Sequence, residues 1–136
     1  MTTGAAVIGL GAIGMGYDLA QPRTHVLTHA RAFAGHPAFE LLGAVDPDAQ
    51  LRAVFTETYG RPAFATLDDL RARLRPEVLA VAAPTERHAT LVTQGLEGPR
   101  PRAILCENPL AASADDAERL AADCAAAGVP LFVNFV

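Results

Sequence analysis

One stretch limits what this chain can become: Ala5-Ala6-Val7-Ile8-Gly9-Leu10-Gly11-Ala12-Ile13-Gly14. A short apolar run, strand-like in character, ends in Gly9-x-Gly11-x-x-Gly14. Each glycine has a physical task. Gly9 permits a tight turn out of the strand, and Gly11, lacking a side chain, lets a diphosphate approach the backbone. Gly14 lets the following segment pack close to the strand. The free N–H groups around Gly11, Ala12 and Ile13 then face the phosphates at a helix start. An ordinary strand–turn–helix connection would use the same residues, so the pattern gains meaning only from the rest of the chain.

Beyond the glycine turn, strand-like and helix-like segments alternate. The run Phe39 to Val45 ends in Asp46-Pro47, and Leu51, Val54, Phe55 and Thr58 then recur at helical spacing. Pro62 to Ala65 reads as a short strand, and Leu67, Leu70 and Leu74 as a short helix. Val78 to Ala83 is continuously apolar, as a strand buried on both faces must be. Ala89, Val92 and Leu96 line the next helix, Ala103 to Cys106 is a fifth strand, and Leu131 to Phe135 a sixth. Between the last two, Ser113 is placed to cap a helix whose buried stripe is Ala117, Leu120, Ala121 and Cys124. The alternation predicts an α/β fold: one doubly wound parallel sheet of about six strands in the order 3-2-1-4-5-6, a single dinucleotide-binding domain over residues 1–136. The stretch Met15 to Thr24 breaks the pattern. Gly16 and Pro22 oppose a long helix there, and a helix is expected from His25 to Ala34 instead.

Composition excludes several function classes. Net charge is −4, so no broad basic surface invites nucleic acid or an anionic membrane. All eleven cations are arginine, which removes lysine Schiff-base chemistry. Cys106 and Cys124 form no CxxC pair and read as buried thiols in a reducing compartment. No metal site is expected. His25 and His29 stand four apart but read as helix-surface residues, with no third ligand nearby. No apolar run approaches membrane-spanning length and no signal peptide is visible, so a cytoplasmic protein is expected.

Three rim positions carry candidate chemistry. Asp46 ends the second strand, where a carboxylate can accept both hydroxyl protons of an adenosine ribose. A charged hydrogen bond of this kind contributes about 1.5–3 kcal/mol. It would repel a 2′-phosphate, which favours NAD over NADP. Asp46 could equally serve as a helix N-cap. Ala83-Pro84-Thr85-x-x-His88 leaves the fourth strand where the nicotinamide ribose would lie, with Thr85 suited to cap the helix. His88 reads either as a surface or capping residue or as the nearby group titrating around neutrality. Cys106-Glu107-Asn108-Pro109-Leu110 leaves the fifth strand at the same rim. Tyr17 and Asp18 either reach toward the cofactor or sit in a solvated loop.

Taken in order, these motifs resemble the N-terminal domain of the glucose–fructose oxidoreductase and inositol dehydrogenase family (Gfo/Idh/MocA), from Val7 to Phe135. The glycine turn is similar to its dinucleotide fingerprint, and His29-x-x-Ala32 with Pro37-x-Phe39-Glu40-Leu41 to its first helix and second strand. Asp46-Pro47-Asp48 is similar to its ribose-binding turn. Pro84-Thr85-x-x-His88 is similar to its nicotinamide-side motif, Glu107-Asn108-Pro109-Leu110-Ala111 to its Glu-Lys-Pro-Leu-Ala, and Val133-Asn134-Phe135 to its sixth-strand exit. The resemblance implies a Rossmann fold and NAD held by Gly9, Gly11, Ala12, Ile13, Gly14, Asp46, Ala83, Pro84, Thr85, His88, Glu107 and Asn108. It also implies hydride transfer on a small-molecule substrate, a sugar, cyclitol or related alcohol.

Three departures qualify it. Asn108 stands where the family carries lysine, and an amide hydrogen-bonds a substrate oxygen but does not titrate. About ten extra residues precede His29, expected either to flap over the cofactor or to reshape the phosphate site. The family's substrate domain would follow Val136 and lies outside this chain. The domain is therefore expected to be incomplete as an enzyme, with Asn108 and His88 as its candidate catalytic groups. The other reading is a non-catalytic NAD-binding module acting through a partner. Exposed apolar surface is expected on the strand-six side, and with it self-association.

Overall fold

β1 (Thr3–Ile8), β2 (Phe39–Val45), β3 (Ala63–Phe64), β4 (Val78–Val81), β5 (Ala103–Glu107) and β6 (Leu131–Asn134) pair as one parallel sheet. The order is β3-β2-β1-β4-β5-β6 in the computed structural model, which describes residues 1–135. Alternate residues of β1 explain its unbroken apolar run. Ala5 and Val7 face a cluster with α1 (His29–Gly35) and α2 (Ala49–Tyr59), whereas Ala6 and Ile8 face α3 (Leu67–Arg71), α4 (Thr85–Leu96) and α5 (Ala114–Ala127). Phe55, Leu70, Val92 and Leu120 are fully buried from the helix side. Each such side chain contributes roughly 1.5–3 kcal/mol by leaving water. Ser113 caps α5 as expected, accepting the Asp116 amide. Phe132 of β6, beside Leu105 in the sheet, is 57% exposed. The expected apolar surface at this edge is present.

Two boundaries differ from expectation. α4 begins at Thr85 with Pro84 as its N-cap and no side-chain cap, so Thr85 does not serve as one. α1 begins at His29, not His25. The cause is a contact distant in sequence. The Asp18 carboxylate accepts the Leu27 amide and the Thr28 hydroxyl, at 3.0 and 2.6 Å, and fixes these residues in an extended path. Thr28 then caps α1 by accepting the Arg31 amide.

Gly11 to Thr28 holds turns and one 3₁₀ turn (Gly16–Asp18), so the α-helix expected to start at the glycine turn does not form there, and α1 follows this excursion. The His29 amide donates to Ile13 and the Ala30 amide to Gly14. His29 stands sixteen positions after Ile13 where an unbroken helix needs four, so twelve residues are looped out. Arg31 closes the loop from within α1. Its guanidinium donates to the carbonyls of Asp18, Gln21, Pro22 and His25 and lies 3.6 Å from the Asp18 carboxylate. Asp18 is thus neither solvated nor aimed at a cofactor; it is wholly buried. Arg23 shares a cavity of about 330 Å³ with Arg31, Ala34, Gly35, Thr58 and Tyr59, at the C-terminal ends of α1 and α2. Arg23 of the loop therefore lies on the flank of α1, by its C-terminal end.

This anchorage is acid-sensitive. Burial alone would raise the Asp18 carboxyl, but the Thr28 hydroxyl, the Leu27 amide and Arg31 outweigh it and hold it below its ordinary value. The folded value lies below the unfolded one. The resulting stabilisation is therefore complete above the unfolded range near pH 4 and is lost as pH falls through the folded value. Asp18→Asn is expected to cost about 2 kcal/mol at neutral pH. The gap from wild type should narrow below pH 4. Thermal midpoints from pH 7 to 2 measure it, and a gap that ignores pH would reject the ionised anchor.

Candidate functional site

The carboxyl ends of the strands form one rim, and the first bend sits at its centre. Gly9 has φ +103°, and a Cβ there would lie 2.5 Å from the Ala83 nitrogen. The bend is thus in direct contact with the exit of β4. A Cβ on Gly14 would lie 1.9 Å from the Gly9 carbonyl oxygen, so only glycine closes this turn. Gly11 is the opposite case. Its Cβ would meet nothing within 4 Å. The amides of Gly11, Ala12 and Ile13 donate to no protein group among the described residues. Unpaired amide donors beside open space can cradle an anion.

Asp46 lies beside that cradle. One carboxylate oxygen accepts the Leu10 amide at 2.9 Å and the other accepts Asp48 N–H at 2.8 Å. The N-cap of α2 is Asp48, which accepts the amides of Gln50 and Leu51. Asp46 is therefore not the cap. A carboxylate has about four acceptor sites, so two remain after these bonds. An orientation locked from the protein side and capacity left on the other fit a vicinal diol beside a diphosphate. The cradle and Asp46 together fit the adenosine half of a dinucleotide.

The other half of the rim is formed by the exits of β4 and β5. His88, expected at the surface or as a proton carrier, is 1% exposed. Its Nε2 lies 2.7 Å from the Ala83 carbonyl and its Nδ1 2.9 Å from that of Pro109. Each ring nitrogen lies against a backbone carbonyl oxygen, so whichever carries the proton donates to one exit and the buried ring packs between the two. Ala83 and Thr85 are half-buried and Pro84 exposed along the first exit. Asn108 is exposed directly after β5. Cys106 is sealed below: burial, with the charge of Glu107 and the neighbouring Cys124, pushes its thiol up to about 12. It carries no nucleophile chemistry near neutrality.

Glu107 has partners that sequence reasoning missed. Its Oε1 lies 2.5 Å from His29 Nε2 and accepts Asn134 Nδ2–H at 2.8 Å. His29 is 9% exposed, not a surface residue of α1. The only local signal for this cluster was a polar Asn134 closing an apolar strand. The sequence separation of His29 and Glu107 is 78 residues, beyond any periodicity.

The family model described as "Oxidoreductase family, NAD-binding Rossmann fold" (GFO_IDH_MocA) matches residues 3–135. The inositol 2-dehydrogenase of Leifsonia xyli subsp. xyli is 33% identical over 120 residues, which cover 88% of this chain and 32% of that protein. A crystal structure from Bordetella bronchiseptica RB50, of a protein named only as a "putative dehydrogenase", is 30% identical with a TM-score of 0.83, covering 98% of this chain and 32% of the other. The structure of GenD2 from gentamicin A biosynthesis, in complex with NAD, is 28% identical with a TM-score of 0.79, covering 98% of this chain and 34% of that one. The chain spans about a third of the length of these relatives. Among the described residues, no helix is long and apolar enough to cross a membrane.

Proposed function

This chain belongs to the Gfo/Idh/MocA oxidoreductase family as its NAD-binding Rossmann domain, and from that premise we propose that it presents NAD for hydride exchange with a sugar, cyclitol or related alcohol. One observation carries the reading: the open, amide-lined cradle at Gly11 adjoins a carboxylate already oriented by Leu10. In this reading the amides of Gly11, Ala12 and Ile13 hold the diphosphate and Asp46 holds the adenosine ribose. Gly9 and Gly14 keep the turn shut. Ala83, Pro84 and Thr85 border the nicotinamide side with Glu107 and Asn108, and His88 holds those two exits at a fixed distance. The bound cofactor supplies the hydride chemistry.

Proton transfer is the missing part. Asn108 can orient a substrate oxygen through its amide but exchanges no proton. His88 is buried, with both ring nitrogens against backbone carbonyls. In the alcohol-oxidising direction the hydroxyl proton leaves the substrate as the hydride goes to NAD, and a base in a substrate domain completing the site would take it up. Inositol 2-dehydrogenase relatives support a polyol substrate class. Asn108 in place of lysine also favours a second reading, a domain that senses NAD and acts through a partner without turnover.

Calorimetric titration tests the shared core of both readings. The folded chain is expected to bind NAD at least about tenfold more tightly than NADP, the scale of one lost charged hydrogen bond. A folded chain that takes up neither would reject the site. Reduction of NAD by inositol with a longer product of the same reading frame, and not with this chain, would favour the enzyme over the sensor.

A further inference from the structure

Glu107 ends β5 on the half of the rim opposite Asp46. Both hydrogen bonds it receives go to one oxygen, Oε1, from His29 and Asn134. The other oxygen receives none among the described residues, and it is not a sealed orphan, since Tyr59 Oη alone has that status there. The carboxylate is thus held from one side and open on the other, at 9% exposure. His29 belongs to the first turn of α1, whose amide is bonded to Ile13 in the phosphate cradle. The bridge therefore runs from the diphosphate turn to the exit of β5, across the ends of β1 and β4.

We propose that His29 is a positioning residue that sets how much negative charge Glu107 presents to the nicotinamide, and so sets the preference of this domain for oxidised over reduced cofactor. The inference rests on the NAD site proposed for this domain. The oxidised nicotinamide ring carries a positive charge and the reduced ring none. A carboxylate facing the ring therefore favours the oxidised form, and more strongly in a poorly hydrated site. Donation by His29 and Asn134 into Oε1 draws that charge away from the open side. Removing His29 leaves one neutral amide to hold the anion and strengthens its field at the rim.

A mere strut between α1 and β5 would behave differently, since its loss would weaken both redox forms alike. The readout is therefore a ratio. NAD⁺, NADH and ADP-ribose are titrated by calorimetry into wild type, His29→Leu, His29→Gln and Glu107→Gln. In His29→Leu the ratio of Kd for NADH to Kd for NAD⁺ is expected to rise about fivefold, the scale of one partly screened charge. ADP-ribose, which lacks the ring, should change by less than about twofold. His29→Gln keeps an N–H donor and should return the ratio toward wild type. Glu107→Gln removes the charge and should lower it. A ratio unchanged in folded His29→Leu, or in Glu107→Gln, with both cofactors still bound, overturns the inference while leaving the NAD site intact. A folded wild type that binds no NAD⁺ overturns the site itself. If His29→Leu does not fold, His29→Asn, whose shorter amide does not reach Oε1, decides: a raised ratio supports the inference and an unmoved one rejects it.

Discussion

Gly14→Ala is expected to be strongly destabilised, whereas Gly11→Ala, three residues earlier in the same turn, is expected to fold like wild type and lose the cofactor. The difference lies in what each new methyl meets. At Gly14 it would sit 1.9 Å from the Gly9 carbonyl oxygen and 3.0 Å from its carbon. Both are backbone atoms, so no rotamer change relieves the clash. The turn must open, and the bonds from Met15 and Gly16 to Gly11 and from His29 and Ala30 to Ile13 and Gly14 open with it. The cost is about 4 kcal/mol or more, at the far end of single substitutions. A domain of this size holds about 5–15 kcal/mol in total. At Gly11 the methyl meets nothing within 4 Å, and its φ is not in the left-handed region. It stands instead in the space read as the diphosphate cradle, and NAD affinity should fall at least about thirtyfold, near 2 kcal/mol. Urea unfolding and calorimetry separate the two effects. A Gly14→Ala protein with a wild-type urea midpoint contradicts the turn geometry, and a Gly11→Ala protein with wild-type NAD affinity contradicts the cradle.

The sheet was legible because parallel strands are buried on both faces. Ala5 to Ile8, Val78 to Val81 and Ala103 to Cys106 have no polar side to display, and an unbroken apolar run is how that condition reads along a chain. Their order follows from handedness and alternation. The glycine turn was legible in part for a similar reason: Gly14 is constrained by Gly9, five residues away, whereas Gly9 itself is constrained by Ala83 across the sheet. The polar residues were not. Val26, His29, Ala30 and Phe33 have helical spacing, yet Asp18 captures the Leu27 amide and delays the helix. His88 looks like a helix-surface residue until the Pro109 carbonyl, 21 residues later, arrives at its ring. Asp46 and Asp48 flank one proline and either suits a cap. The choice is made by where α2 starts, which frees Asp46 for the glycine turn. Apolar burial is periodic and can be read from one element, whereas a buried polar group is defined by a partner that the fold must first bring near.

Asp46→Ala tests whether that freed carboxylate recognises a ribose or only braces a bend. The geometry suits both tasks, because its two oxygens already hold the Leu10 and Asp48 amides. Removal therefore has a shared cost. The turn loses two acceptors, each loss in the range of about 0.5–1.5 kcal/mol, and every dinucleotide suffers from a looser cradle. Only the diol distinguishes the cofactors. NAD should additionally lose a charged hydrogen bond of about 2 kcal/mol, roughly thirtyfold in Kd. NADP makes no such bond, and its 2′-phosphate is relieved of a repelling carboxylate. The relief offsets the shared loss, so NADP affinity should stay level or improve while NAD affinity falls, compressing or inverting the preference. Calorimetric titration of both cofactors into wild type and Asp46→Ala reads the difference directly. An equal loss for both would leave Asp46 as a brace, and the preference for NAD would then need another cause.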